Sequence, residues 1–288
     1  FGVMVQPQQS KYIQDYQGVH VDTVRNVVNV SPTLDFRYRF SKMSNLRINY
    51  RGTTSQPSIS QLLDITDNSD PLNISMGNPG LKPSFTQNFR LFYNNFVQNH
   101  NKGIMTFVNF STTNNSISNK VTYDETTGGR ITRPENINGN WNAMGAFMFN
   151  CSIDSAGVWN INTGAHANYN NYVSYLSLDK KSDSQKNTTR SITWRQNLSF
   201  SYRNDWAEFS LDGTLTYNKA KNKLQPTSNL ETWQFSYGPS MTLTAPWGTS
   251  LNSSLSINSR RGYNDSSMNT DEFVWNAQLS QGFLKGKP

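Results

Sequence analysis

Alternation with a period of two runs through almost the whole chain. Between residues 190 and 202 the even positions read Arg, Ile, Trp, Gln, Leu, Phe, Tyr; between 207 and 217 the odd positions read Ala, Phe, Leu, Gly, Leu, Tyr. Opposite the second set stand Glu208, Ser210, Asp212, Thr214 and Thr216. Successive side chains leave a strand on opposite faces, so this rhythm gives each strand one apolar and one polar face. The same rhythm shapes Leu34-Phe36-Tyr38-Phe40, Leu46-Ile48-Tyr50, and the segments 85–97, 159–169 and 273–283. Apart from a single turn near 59–65, no segment holds a helical period. About twelve strands are expected, many of roughly 12 to 17 residues, where a globular strand runs nearer 5 or 6.

The connections alternate in length. Short turns are expected at 41–44, 99–102, 154–157, 203–205 and 246–248, and longer links at 9–23, 55–83, 121–135, 173–188, 221–229 and 264–270. In an up-and-down meander every second connection emerges at the same end, so one end carries short turns and the other long loops. Long amphipathic strands with that asymmetry point to a transmembrane antiparallel β-barrel, apolar toward lipid and polar toward a wet lumen. A two-layer soluble core has no use for strands of ~50 Å, the reach of about 15 residues at 3.3 Å each. The polar faces are rich in Ser, Thr and Asn and poor in the Lys and Glu that guard soluble sheets against edge pairing.

The hairpin 235–259 shows the consequence. Phe235, Met241, Leu243, Leu251 and Leu255 are expected to face lipid, and Ser240, Thr242, Asn252 and Ser254 to line the lumen. Trp247 in its turn should mark the periplasmic edge. Trp141, Trp159, Trp206 and Phe273 also sit at or near strand ends, where aromatic girdles meet the headgroups.

Composition narrows the alternatives. The 7 Trp, 13 Tyr and 16 Phe are too many aromatics for a disordered chain. A net charge of +7 raises nucleic acid as a partner, but the basic residues are scattered and no nucleic-acid module is present, so none is expected. Cys151 is the single cysteine and follows the phase of Trp141, Phe147, Phe149 and Ile153, as a structural thiol would. His20, His100 and His166 lie far apart without ligand-spaced companions. Asp64, Asp67, Asn68 and Asp70 do not have the spacing of an EF-hand. No metal and no cofactor is expected.

The longest link carries a motif. It contains Gln56-Pro57-Ser58, then Leu62-Leu63, then Gly77-Asn78-Pro79-Gly80-Leu81-Lys82-Pro83 just before a strand. Gly77 and Gly80 admit positive φ while Pro79 and Pro83 fix φ, so this loop should be locally rigid where the chain re-enters the wall. The run resembles a recurring segment of TonB-dependent outer-membrane receptors, in which a GNP-x-LKP stretch precedes a barrel strand. It is most similar to the barrel part of their outer-membrane-protein family from Gram-negative gut-type bacteria. The resemblance implies an outer-membrane location and a barrel of 22 strands around a plug, of which this chain supplies about twelve. It further implies nutrient uptake with a TonB-type energising partner, outer-membrane lipid around the wall and a surface lipoprotein as a further partner. Residues 1–288 are expected to be one barrel segment with no plug domain and no signal peptide.

Candidate sites follow from the faces and loops. Tyr169, Tyr172 and Tyr175 could stack on a sugar or peptide ligand, or belong to the outer girdle. Glu208 and Asp212 share a polar face four residues apart and could perform acid–base work, or pair with Arg195 or a plug. The chain is expected not to be an enzyme. A soluble all-β ligand-binding or adhesion module, and an outer-membrane enzyme with its site in the lumen, remain as competing readings.

Overall fold

The computed structural model describes residues 1–16, 19–63, 66, 67, 69–123, 128–178 and 182–282. In chain order its strands are β1 (Gly2–Tyr16), β2 (Val19–Ser41), β3 (Ser44–Ser55), β4 (Thr66–Asp67), β5 (Asn73–Met76), β6 (Ser84–Val97), β7 (Lys102–Asn114) and β8 (Ser116–Tyr123). They continue as β9 (Arg130–Ile137), β10 (Asn140–Ser152), β11 (Trp159–Leu176), β12 (Gln185–Arg203), β13 (Ala207–Asn222), β14 (Leu230–Thr244), β15 (Thr249–Arg261) and β16 (Asp271–Gln281). One helical turn, α1 (Ile59–Leu62), lies between β3 and β4. Twelve strands form a single antiparallel sheet in the order β1-β2-β3-β6-β7-β10-β11-β12-β13-β14-β15-β16. The sheet is not closed, because β1 and β16 each pair on one side only among the described residues.

Two excursions leave this wall. β4 and β5 arise from the β3–β6 link, β8 and β9 from the β7–β10 link, and together they make a second sheet in the order β4-β5-β9-β8. Asn115, with φ of 53°, and Gly139, with φ of 119°, turn the chain out of the wall and back into it. The stretch 122–130, with Gly128-Gly129, reads as a hairpin turn, and Tyr123 and Arg130 do face each other across β8 and β9; the four strands themselves were not anticipated from the sequence. They run from two to eight residues and carry no sustained alternation.

The expected faces are present. Phe209 pairs with Met241 and Leu215 with Phe235; Leu243 pairs with Leu251, and Leu255 with Trp275. One apolar face is thus continuous across β13 to β16, with Ser240, Thr242, Asn252 and Ser254 on the other. The apolar face is not covered by the chain: Leu211 is 56% exposed, Phe273 68% and Leu279 72%. A second layer would bury such residues, and among the described residues the buried apolar side chains are few: Leu81, Ile137, Val173 and Ala207.

Aromatic rings tile that face. Tyr50, Phe89, Phe110, Trp141 and Tyr169 form a run over five adjacent strands, with centroid spacings of 4.7, 6.3, 5.9 and 4.9 Å. A second group, Trp159, Tyr202 and Phe209, lies at the short-turn end with spacings of 4.6 and 6.2 Å. Trp159 and Tyr169 on β11, and Phe209 and Tyr217 on β13, frame spans close to the ~9–11 residues that a tilted strand needs to cross a bilayer. β11 and β12 have 18 and 19 residues and therefore overrun that span.

The loop asymmetry holds with one correction. Turns at 42–43, 98–101, 153–158, 204–206 and 245–248 share one end, and the longer connections share the other. The expected long link at 9–23 is instead a continuous hairpin, with Lys11 paired to Val24 and Tyr16 to Val19. Beyond the membrane an antiparallel pair satisfies its backbone without needing an apolar face, so alternation does not announce it.

Candidate functional site

Long loops at one end of the wall converge on the motif-bearing link. Gln56 donates through Nε2 to Oδ1 of Asn29 at 2.8 Å. Arg25 donates to Oε1 of Gln56 at 3.1 Å and to the Pro57 carbonyl at 3.2 Å, which ties the link to β2. Ser58 caps α1: its Oγ accepts from the Gln61 amide, and its own amide donates to Oε1 of Gln61. These reciprocal bonds satisfy two amides that the helix itself leaves free.

Asn78 is the centre of the second half. Its Nδ2 donates to the Pro134 carbonyl at 2.8 Å, and its Oδ1 accepts from the Gly80 amide at 3.0 Å and from Arg133 at 3.1 Å. Asn136 reciprocates from β9, accepting from the Lys82 amide at 2.8 Å and donating to the Lys82 carbonyl at 3.0 Å. Leu81 between them is 5% exposed, and Pro79 is at the surface. Residues 77–83 therefore clasp the β3–β6 link to β9. Neither Gly77 nor Gly80 has positive φ, contrary to the expectation. Gly77 is required by space, because a Cβ there would collide with the Leu63 carbonyl oxygen. Pro83 follows the clasp, its carbonyl accepting from Asn115 at 3.5 Å.

The clasp leaves an open cleft of about 370 Å³ lined by Gln61, Leu63, Asp67, Met76, Asn119 and Thr132, among others. Residues 182–184 close the outer edge of the small sheet: the Ser184 amide donates to the Val121 carbonyl at 2.7 Å, and Asp183 accepts from the Tyr123 amide. Asp70 in the same link accepts from Asn73 at 2.7 Å and from the Leu72 amide at 2.9 Å. Those bonds, the Asn73 one first, hold its carboxyl below the usual carboxylate range. Asp64 and Asn68 lie outside the described residues, as does the side chain of His100.

The three tyrosines do not converge. Tyr169 stacks on Trp141 on the apolar face, with planes 15° apart. Tyr175 packs on the small sheet, its hydroxyl donating to Glu135 at 3.4 Å and Nζ of Lys120 lying 5.9 Å from its ring. Tyr172 has the opposite parity, on the polar face, and is 59% exposed.

The polar trio is also dispersed. Glu208 accepts from Arg203 at 2.6 Å, and Asp212 accepts from Oγ of Ser210 at 2.6 Å. Arg195 stands across from His166 and Thr216 and meets neither carboxylate. The expected pairing with Arg195 is thereby corrected: the register brings Arg203 opposite Glu208 instead. Sequence reasoning missed Arg25, Arg133 and Asn136, the partners that make the clasp.

Residues 10–208, more than half of the chain, match the outer membrane protein β-barrel family. The chain belongs to that family. This β-barrel family protein accordingly resides in the outer membrane, with its exposed apolar face against lipid. In such barrels short turns face the periplasm and long loops the exterior, which puts the clasp on the outer side. Among solved structures, LpxR from Salmonella typhimurium is similar over 89% of this chain and 88% of that one, at 7% identity and a TM-score of 0.25. That likeness is too low to bear on function. No curated protein matches this barrel protein.

Proposed function

We propose that the chain is part of the wall of a TonB-dependent receptor that takes up a nutrient across the outer membrane. The 77–83 clasp carries the reading. It matches the receptors' strand-entry stretch residue by residue, and it locks the longest external link in place beside β6. The unpaired edges of β1 and β16 support it too, since backbone groups in lipid need partners. Further strands, toward the ~22 of large plugged transporters, would supply those partners. A plug, a TonB-type energising partner and a surface lipoprotein are the associations this reading implies. Tyr172, exposed on the polar face above the bilayer span, is its candidate ligand contact. No catalytic step is assigned, and the pairing of Glu208 with Arg203 fits a structural use of that carboxylate.

Cells carrying the whole receptor should deplete at least one component of a defined nutrient mixture, read by mass spectrometry. Deleting the energising partner should abolish that depletion. Depletion that persists without the partner would overturn energised uptake.

A further inference from the structure

The polar face of the early wall strands is strongly cationic. Asp35, Arg37 and Arg39 of β2, Arg47, Asn49 and Arg51 of β3, and Arg90 of β6 all project from it. The register centres them on Asn49. Asp35 is its partner on β2 and Arg90 its partner on β6, while Arg47 and Arg51 flank it on its own strand. Arg37 stands directly opposite Arg47. Strands lie about 4.8 Å apart and next-but-one residues about 6.8 Å apart, so Arg37, Arg47, Arg51 and Arg90 each sit within roughly one Debye length of Asn49, with Arg39 further along β2.

All five arginines are exposed. Among the described residues one carboxylate answers them. Asp35 accepts from Nε of Arg37 at 3.0 Å, from its Nη2 at 3.3 Å and from Nδ2 of Asn49 at 2.8 Å. Arg90 reaches only Oδ1 of Asn109, at 3.4 Å. Among the described residues, β3, β6, β7 and β10 contain no Asp or Glu. On β12 and β13 the same face carries a matched pair, Arg203 and Glu208 at 2.6 Å.

Like charges directly opposite on a sheet repel, so the Arg37–Arg47 pair costs stability unless an anion sits between them. Guanidinium groups present a planar fork that fits carboxylate and phosphate oxygens two at a time. The face is turned away from the apolar band, so lipid headgroups do not reach it and an occupant arrives through water.

We propose that this face is a binding site for a soluble polyanion, a solute bearing several carboxylate or phosphate groups. The inference names a chemistry for a solute of the proposed receptor but does not depend on energised uptake. Equilibrium binding needs no energising partner, so the two readings fail separately.

Sodium tripolyphosphate is a suitable probe, titrated by calorimetry into the whole protein in detergent micelles at low salt. Saturable binding is expected. It should weaken about tenfold or more when Arg47→Gln and Arg51→Gln are combined, as for the loss of two charge-assisted contacts. Arg260→Gln, which removes a guanidinium from the polar face of β15, should leave it unchanged. Arg47→Lys with Arg51→Lys keeps the charge and the fold and should still bind more weakly than wild type, because the fork is gone. Absence of saturable binding overturns the site. So does an equal loss in Arg260→Gln, which would mean diffuse charge alone. Binding of a poly-Asp peptide with no response to tripolyphosphate would assign the patch to an acidic polypeptide instead.

Discussion

Asn78 shows how much one side chain can hold. It spends its amide on the Pro134 carbonyl and its oxygen on the Gly80 amide and Arg133, joining the β3–β6 link to β9, whose Pro134 is 56 residues further on in sequence. Asn78→Ala should cost the clasp about 1–3 kcal/mol, mostly from polar groups left unpaired. Faster hydrogen exchange at the Gly80 and Lys82 amides, with unchanged exchange in β12, would register it. Asp154 offers a pH test. Its carboxylate accepts from the Trp159 amide at 2.7 Å and from the Val158 amide at 3.1 Å, and these bonds, the Trp159 one first, hold its pKa below the ordinary 3.8. A lowered folded pKa means the contribution is present above 3.8 and fades as pH falls through the folded value. Exchange at the Trp159 amide should therefore rise only at pH below that ordinary value, and Asp154→Asn should raise it already at neutral pH. At this scale the sequence made the motif residues visible by their identity. It left Arg133 and Asn136 unremarked, because nothing local in residues 130–137 says that the 77–83 stretch will lie against them.

Strands are the scale at which alternation speaks most directly. β13 displays Phe209, Leu211 and Leu215 on one face and Ser210, Thr214 and Thr216 on the other, as its odd and even positions require. Leu211→Arg, two residues inside the Phe209 girdle, should destabilise the folded barrel by roughly 1–3 kcal/mol, between the midplane and interface costs, whereas Thr214→Arg on the wet face should cost far less. Urea titration of both variants in lipid vesicles would measure the difference, and equal costs would deny the assignment of faces. The β1–β2 hairpin and the small sheet were the elements not read correctly. The first continues past the bilayer, where backbone pairing persists without an apolar face. The second is joined by a parallel contact between β5 and β9, with Asn73 beside Arg130. Short strands meeting across such a separation leave no periodic trace.

The whole sheet is defined by what it pairs and what it leaves open. Every residue of β16 is exposed, while β12 is paired on both sides. Hydrogen exchange of the isolated chain in detergent should be fastest in β1 and β16 and slowest through β11 to β13. Uniform protection across all twelve strands would mean that the edges had found partners in micelles. Period-two chemistry and the parity of loop lengths were enough to dictate strands, the lipid-facing side and the two unlike ends, because each is a local or counting property of the chain. Register was not. A slip of one residue turns every side chain to the other face and changes every partner. Whether Glu208 meets Arg195 or Arg203, whether four guanidinia gather around Asn49, and whether residues 77–83 clasp β9 depend on how distant strands align. Those alignments are settled by packing and backbone pairing over the whole sheet, and they exist only once the chain has folded.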